Sequence, residues 1–415
     1  MKTASEVKNS NRTRTLAHET RKNKQWLSML VIAVLAVVAA FTSCGGGSGS
    51  GSGGGKSSGK IKMNTEAGGN FSFYLAGSGV ATVDWGDGSE KVLLTLNENE
   101  NEYGNGVEFK HKYPSASIRT ITINGDNITG LNFAFINDYL TGLDVSRCTE
   151  LTTLVCASDH LTSLNVSKNT ALTKLVVTSS KLTSLDVSKN TSLTSLNCSG
   201  NQLTSMDVSK NKALTKLHCS LNPLTSLDVS KNTALAELHC SYNPLTSLDV
   251  SKNTALAELN IEKNPLTSLD VSNTALTSLV CNDMQISILK MSNCTALAKL
   301  SCSQNQITSL DVSQNTALTE LNCSRNPLTS LDVSKNLALT NLNCVRNQLT
   351  SLDVSNNTAL TRLSLDSNQL TNSALNALFG TLHNNAGEKY IWIVGNPGAA
   401  DCDRSIAERN RWTVR

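Results

Sequence analysis

The amino-acid sequence predicts a repeat solenoid built mostly of short parallel β-strands with few helices. A 21-residue unit, LTSLDVSKNTALTELNCSRNP in its fullest form, recurs along most of the 415 residues. Its leucines keep fixed offsets, and a unit of this length buries its apolar edge by stacking on neighbouring copies. Every step between copies is 21 residues except one of 20. The LTSLDV element begins at Leu161, Leu182, Leu203, Leu224, Leu245, Leu266, Ile286, Ile307, Leu328 and Leu349.

Each unit divides into halves of 11 and 10 residues that both match, or nearly match, the pattern LxxLxLxxN. Alternating apolar positions predict a short strand and a turn in each half, for example over residues 330–334 and 341–345. These residues resemble the leucine-rich repeats, specifically the bacterial 21-residue class. The resemblance covers most of the chain and implies a module that binds other macromolecules.

In the interior of the predicted coil, two kinds of residue recur at the same position from copy to copy and form columns. One repeat position holds cysteine in eight copies, but Val177, Ile261 and Leu365 in others. A position that accepts all four residue types needs a medium-sized hydrophobe, so we predict buried free thiols and not disulfides or a metal site. Two asparagine columns are predicted to bond the backbone of the turns. The eight cysteines are Cys156, Cys198, Cys219, Cys240, Cys281, Cys302, Cys323 and Cys344.

The N-terminus carries the features of an export signal. A basic segment precedes an apolar run from Trp26 to Phe41, and Thr42-Ser43-Cys44 follows. Because the run is shorter than the ~20 residues that span a bilayer, we predict a signal peptide over residues 1–43. The Thr-Ser-Cys ending resembles the lipobox of bacterial lipoproteins, which implies a lipid on Cys44. An uncleaved signal anchor is the alternative.

Residues 44–60 and 61–130 are predicted to form a tether and a small antiparallel β-sandwich. The tether, GGGSGSGSGGGKSSGK after Cys44, has nothing to bury and predicts a flexible spacer. Four alternating segments predict the sandwich strands. The signatures VDWGDG and HKY resemble the PKD-like domains. Asp84 and Asp87 could be calcium ligands, but a structural turn is favoured because no further carboxylates lie at ligand spacing.

The solenoid is predicted to cover residues 131–371 and a C-terminal cap residues 372–415. Leu375, Leu378, Phe379 and Leu382 fall on one face of a helix. Residues 389–398 predict a strand and turn, and residues 403–411 a second short helix before a last strand. A cap is expected because an uncovered solenoid end exposes an unpaired strand edge.

The outward columns are where function is expected. One column is acidic in nine copies, from Asp144 to Asp353, with a basic residue three positions after most members. It predicts either a track for cations or polymers, or a solvated face whose charges neutralise each other, which is favoured.

The other outward columns vary from copy to copy, which indicates a binding face. His218 and His239 lie on adjacent predicted strands beside Glu237 and Glu258, and two imidazoles with a carboxylate could hold zinc or nickel. Histidines repeated by coil duplication are the favoured explanation, so no metal or other cofactor is predicted. The candidate binding face comprises Lys216, His218, Glu237, His239, Glu258, Asn260, Glu320, Asn322, Asn341, Asn343 and Arg362.

The whole-chain composition narrows the function classes further. A net charge of +3 over 415 residues gives no reason to expect nucleic acid as a partner. No nucleophile–base set, phosphate-binding glycine loop or HExxH motif is present, so an enzyme is not predicted. The sequence predicts a lipoprotein on the bacterial cell envelope, at the outer-membrane surface. Its solenoid is predicted to bind a protein or glycan partner and to act as an adhesion or recognition module. Alternatives are a passive surface spacer and an accessory of an envelope enzyme complex.

Overall fold

The computed structural model describes residues 58–97, 100–101, 104–133 and 139–415. The predicted signal peptide, Cys44 and most of the tether lie outside these residues. None of the described helices is long and apolar enough to cross a membrane. The first strands are β1 Ser58–Thr65, β2 Gly69–Gly77, β3 Val80–Asp84, β4 Val92–Thr95, β5 Glu100–Asn101, β6 Gly104–Asn105, β7 Val107–Tyr113, β8 Arg119–Asp126 and β9 Ile128–Asn132.

The repeats form a parallel β-solenoid, as predicted. Most coils contribute a short strand with the pattern out–in–out, whose central leucine is buried. The strands are β10 Leu140–Asp144, β11 Thr153–Ala157, β12 Lys174–Thr178, β13 Ser195–Asn197, β14 Lys216–His218, β15 Glu237–His239, β16 Glu258–Asn260, β17 Ser268–Asp270, β18 Ser278–Val280, β19 Ile288–Lys290, β20 Lys299–Ser301, β21 Glu320–Asn322, β22 Asn341–Asn343 and β23 Arg362–Ser364.

A small antiparallel sheet precedes the solenoid, and a second sheet is shared with it. The first sheet has the strand order β10-β1-β8-β3-β4. The second has 16 strands: β7, β2 and β9 are antiparallel, and from β9 onward the sheet continues as the parallel sheet of the coils. Strand β9 (Ile128–Asn132) contains the predicted boundary at residue 130, so the backbone is hydrogen-bonded without a break across that position.

The prediction of two strands in every coil was wrong. Residues 330–334 form no strand, whereas Asn341–Asn343 forms β22. In this half of the coil the backbone is bonded by an asparagine side chain of the next coil, because the carbonyl of Val333 accepts from Nδ2 of Asn357 (3.0 Å).

Strands do form on the LTSLDV side around the 20-residue coil that begins at Leu266, where β17 and β19 pair in parallel. That coil has Met284 in the first asparagine column, but the amide of Ile286, at the start of the element that contains β19, still donates to Asn305 (3.1 Å). The second asparagine column is also interrupted there: Thr274 donates to the carbonyl of Val271 (2.7 Å), and Cys294 lies one coil further on in the same column.

The asparagine columns otherwise bond the backbone as predicted. In the first column, Nδ2 of Asn326 donates to the carbonyls of Cys302 and Cys323 (3.0 and 3.1 Å), and its Oδ1 accepts from the amide of Ile307 (3.1 Å). In the second, Nδ2 of Asn232 donates to the carbonyls of Val208 and Asn211 (3.0 and 2.8 Å). Each asparagine thus links consecutive coils.

The C-terminal elements close the sheet and the core. They are α1 Asn372–Thr381, β24 Lys389–Trp392, α2 Ser405–Arg409 and β25 Trp412–Val414. Helix α1 begins after Thr371, whose hydroxyl accepts from the amide of Ala374 (3.3 Å), and it buries Leu375, Leu378 and Phe379. Strands β24 and β25 continue the 16-stranded sheet beyond β23. The predicted cap helix and final strands are confirmed.

Candidate functional site

The outward side chains of the solenoid sheet form two parallel rows, which we name the strand face. They are the first and third residues of the strands, with an inward leucine between them. The predicted binding residues all lie in these rows. Lys216, Glu237, Glu258, Glu320, Asn341 and Arg362 are in the first row, and His218, His239, Asn260, Asn322 and Asn343 in the second.

Four of these residues come together at the centre of the strand face, and we name them the histidine cluster: Lys216, His218, Glu237 and His239. Each carboxylate oxygen of Glu237 has its own partner. Oε1 lies 2.7 Å from His218 Nε2, and Oε2 lies 2.7 Å from Lys216 Nζ. The two imidazole rings stack with centroids 4.3 Å apart and planes 9° from parallel. His239 Nε2 lies 3.8 Å from the same Oε1.

Burial and charge set the protonation of this cluster. Glu237 is 8% exposed, and the hydrogen bond from His218, with that from Lys216, lowers the pKa of its carboxyl to about 2. Desolvation, with a smaller contribution from the charge of His218, lowers the pKa of His239 to about 4. At pH 7 Glu237 is therefore a carboxylate and His239 a neutral imidazole. Among the described residues, His218, Glu237 and His239 form a group whose ligand atoms all lie within 4.8 Å of one another.

The remaining predicted residues do not join this cluster. Strands β18 and β20 separate β16 from β21, so Glu320 and Asn322 belong to a second region of the face. There Lys299 Nζ contacts Glu320 Oε1 at 3.2 Å, and the side chain of Asn322 donates to Ser301 (3.3 Å). Asn343 accepts from the amide two residues ahead, which is a local turn contact.

Sequence reasoning missed two exposed apolar residues beside the histidine cluster. Leu221 and Tyr242 are 38% and 42% exposed and occupy the turns after β14 and β15. The amide of Leu221 donates to the carbonyl of Ser241, immediately before Tyr242. Both have a positive φ, as does Gly200 at the same position of the preceding coil. The detectable signal was a leucine and a tyrosine at a turn position where most other copies carry a polar residue or glycine.

A second missed group extends the strand face into the cap. Tyr390 and Trp392 of β24 pair in register with Arg362 and Ser364, so they continue the two rows. Arg415 lies over both rings, 4.5 Å from the Tyr390 centroid and 5.8 Å from that of Trp392. The strand in residues 389–398 was predicted, but its continuity with the two rows was not.

The acidic column has a structural role that neither sequence interpretation anticipated. Oδ1 of Asp207 accepts from the amide of Ser209 (2.8 Å), which closes a tight turn at the end of the LTSLDV element. The same bond recurs in the other copies, and Asn165 makes it where the column has asparagine (3.0 Å). Hydrogen bonding to the serine lowers the pKa of the carboxyls of Asp186 and Asp207, with lysine charges contributing less.

Acid is expected to destabilise the solenoid through this column. The pKa of the folded carboxyls lies below the value of about 3.9 for unfolded Asp, so their contribution is full above that pH and is lost as pH falls through the folded pKa. We expect a melting temperature that is nearly constant from pH 7 to about 5 and falls below about pH 4. The aspartates with lowered pKa are Asp144, Asp186, Asp207, Asp228, Asp249, Asp270, Asp311 and Asp332.

The matched variant replaces Asp186, Asp207, Asp228 and Asp249 by asparagine. Asn165 shows that an amide oxygen makes the same turn bond without titrating. Thermal unfolding of this variant, followed by circular dichroism between pH 2.5 and 7, should show a flatter decline than the parent chain. Identical pH profiles would contradict the assignment.

The two aspartates considered as calcium ligands are held in turn contacts. Asp84 accepts from the amide of Gly86 through Oδ1 (3.1 Å) and pairs with Lys91 through Oδ2 (3.3 Å). Asp87 accepts from the amide of Ser89 (3.0 Å) and lies 2.7 Å from His111 Nε2. These contacts fit the structural turn.

The cysteine column lies inside the coils, as predicted. All eight of its thiols are free and buried, as are Val177, Ile261 and Leu365 at the same position. Burial raises the pKa of the thiols of Cys156, Cys219 and Cys281 to about 12, so they are protonated at neutral pH. The column packs the core and presents no nucleophile to solvent.

Comparison with known proteins agrees with this architecture. No protein-family model and no curated protein matches the chain. The functional domain of InlJ from Listeria monocytogenes, described as including a cysteine ladder, is 32% identical with a TM-score of 0.59 over 74% of this chain and 72% of that one. A leucine-rich repeat protein of Leptospira interrogans, LIC12759, is 23% identical with a TM-score of 0.52 over 65% of this chain and 79% of that one.

The likeness to InlJ extends beyond shape, because it combines sequence identity with coverage of most of both chains. The repeat period, the parallel sheet and the buried cysteine column are all present in the described residues. The chain therefore belongs to the family of bacterial leucine-rich repeat proteins.

Proposed function

We propose that this chain is a lipid-anchored protein of the bacterial cell envelope whose strand face binds a protein partner. The observation that carries the proposal is that Leu221 and Tyr242 expose apolar side chains in the turns that follow His218 and His239 by three residues. Protein interfaces combine an apolar centre, often with tyrosine, and charged groups that fix orientation. Solenoid families of this kind commonly act as interaction modules, which supports the proposal by analogy.

The local backbone adds to this argument. The left-handed conformation at Leu221 and Tyr242 is imposed by the turn, because the corresponding residues of other coils share it. A polar residue would occupy this exposed position without placing apolar surface in water. Apolar side chains at two consecutive copies are therefore a departure from the repeat that a binding partner would explain.

The test compares a double variant of the proposed site with a single variant of an exposed leucine elsewhere. Immobilised chain is incubated with extracellular extracts, and the retained partner is titrated against the double variant Leu221→Ser/Tyr242→Ser. The control is Leu337→Ser, because Leu337 is 59% exposed but lies outside the strand face. We expect about tenfold or greater weakening for the double variant only. Equal effects of the two variants would refute the proposed site.

A glycan ligand is the alternative outcome of the same assay. The aromatic pair Tyr390 and Trp392 favours it locally, because rings with an adjacent arginine offer flat apolar contact surface. Treating the extract with protease before capture should abolish binding if the ligand is a protein. Treatment with glycosidases should abolish it if the ligand is a glycan.

We infer the envelope location from the N-terminal sequence. Signal peptide 1–43, lipidation at Cys44, the glycine- and serine-rich tether and the PKD-like sandwich would hold the solenoid away from the outer-membrane surface. The lipid anchor rests on the Thr-Ser-Cys motif.

Replacing Cys44 by serine is expected to release the chain from membranes. Serine cannot form the thioether to a lipid, and stable anchoring depends on acyl chains buried in the bilayer. Fractionation and mass measurement of the mature N-terminus are the readouts. Cys402→Ser is the control, since it removes a thiol elsewhere. Membrane retention of the Cys44 variant would indicate an uncleaved signal anchor.

A passive spacer is the second candidate function. The close similarity of the coils favours it, because a role that depends only on length places no demand on surface detail. In that case neither the Leu221/Tyr242 variant nor the parent chain would retain a specific partner.

A further inference from the structure

We propose that His218, Glu237 and His239 form a binding site for one Zn²⁺ ion on the strand face. The inference is independent of the partner-binding proposal. It rests on the convergence of two imidazole nitrogens and one carboxylate oxygen from adjacent parallel strands.

The sheet register brings the three ligands together. His218 and His239 are paired across β14 and β15, and Glu237 begins β15 beside Lys216. The stacked rings present both Nε2 atoms to Oε1 of Glu237, at 2.7 and 3.8 Å. In a tetrahedral zinc site with bonds of about 2.0–2.1 Å, ligand atoms lie about 3.3–3.4 Å apart. Small side-chain rotations therefore convert the observed separations into ligand geometry.

The chemistry of the donors selects the ion. Two nitrogens and one carboxylate oxygen suit zinc, whereas calcium and magnesium prefer oxygen ligands alone. The other oxygen of Glu237, Oε2, is held by Lys216 Nζ at 2.7 Å, and this contact directs Oε1 toward the histidines.

The site is shielded on one side and open on the other. The side chains of Glu237 and His218 are 11% and 19% exposed, and that of His239 is 32% exposed. Three protein ligands with an accessible fourth position is the arrangement of zinc sites that accept water or an external ligand. The cysteines of the column are buried on the inner side of the sheet.

The chain contains its own matched control. Lys299, Ser301, Glu320 and Asn322 occupy β20 and β21 in the same register as the histidine cluster, and Lys299 likewise contacts Glu320. This second region differs at the two positions that hold histidine in the first. It should bind no zinc in the parent chain, and Ser301→His/Asn322→His should add a second site.

The experiment titrates the purified chain with Zn²⁺ against a chromophoric chelator, with Co²⁺ absorption as a second readout. We expect one ion per chain, bound with nitrogen and oxygen ligands and without a sulfur-to-cobalt band. His218→Ala and His239→Ala should each weaken binding by about 10–100-fold or more, while Asn322→Ala leaves it unchanged. Circular dichroism checks that the variants fold. If an alanine variant does not fold, glutamine replaces alanine at the same position, as in His218→Gln.

Three outcomes would overturn the proposal. They are the absence of zinc binding to the parent chain, affinity unchanged by both histidine replacements, and a cobalt spectrum dominated by sulfur. A single ion bound by the Ser301→His/Asn322→His variant would show that these three ligands in this register do not suffice. Two ions would support the assignment.

Discussion

Replacing Asn326 by alanine is expected to lower the free energy of unfolding by about 2–4 kcal/mol. Its side chain donates to the carbonyls of Cys302, Cys323 and Ser324 and accepts from the amide of Ile307, and it is 5% exposed. Alanine leaves these backbone groups without partners in a site closed to water. The loss of an unreplaced partner costs more than the average hydrogen bond because the orphaned group stays desolvated.

The matched control is Asn356→Ala, which removes an exposed amide that makes one longer bond, 3.3 Å to the carbonyl of Ser334. It should change stability by less than about 0.5 kcal/mol. Urea unfolding followed by circular dichroism measures both variants. If Asn326→Ala is no more destabilising than Asn356→Ala, the asparagine column does not hold the turns.

Replacing Phe379 by alanine is expected to destabilise the cap by about 3–5 kcal/mol. Phe379 is fully buried on the inner side of α1, together with Leu375 and Leu378. Its loss leaves a cavity between the helix and the last coils. Because contacts in a solenoid are between neighbours, the damage should concentrate at this end of the chain.

Amide hydrogen exchange is the appropriate measurement, since it separates local opening from global unfolding. Protection should fall in α1, β24 and β25 and persist in β13–β16. Gly380→Ala is the control of opposite sign: a side chain there meets open space, and alanine favours the helix by about 0.5–1 kcal/mol. Uniform loss of protection along the chain would contradict a cap that folds as the terminal unit.

The sequence was sufficient for the architecture because the repeat multiplies each signal. The interchange of Cys, Val, Ile and Leu identified the buried column, and the spacing of Leu375, Leu378 and Phe379 identified α1. It failed for the LTSLDV half, where alternation of side chains predicted a strand. Alternation reports which side chains are buried but does not reveal that an asparagine of the next coil bonds the carbonyl of Val333.

The candidate site was predictable only in part. The sheet register follows from the period, so the proximity of His218, Glu237 and His239 was anticipated. The stacking of the rings and the contact of Lys216 with Glu237 depend on rotamers that a pattern cannot give. Tyr242 was missed because its exposure comes from the turn geometry, and Trp392 because the rows continue into the cap.

The central functional claim is that the strand face around β14 and β15 contacts the partner. Hydroxyl-radical footprinting of the chain, alone and saturated with its captured partner, tests it most directly. The account predicts protection of Leu221, Tyr242 and the histidine cluster, with unchanged reactivity at Leu337. Protection of Leu337 and of the turns at the end of the LTSLDV elements, with Tyr242 still reactive, would contradict it.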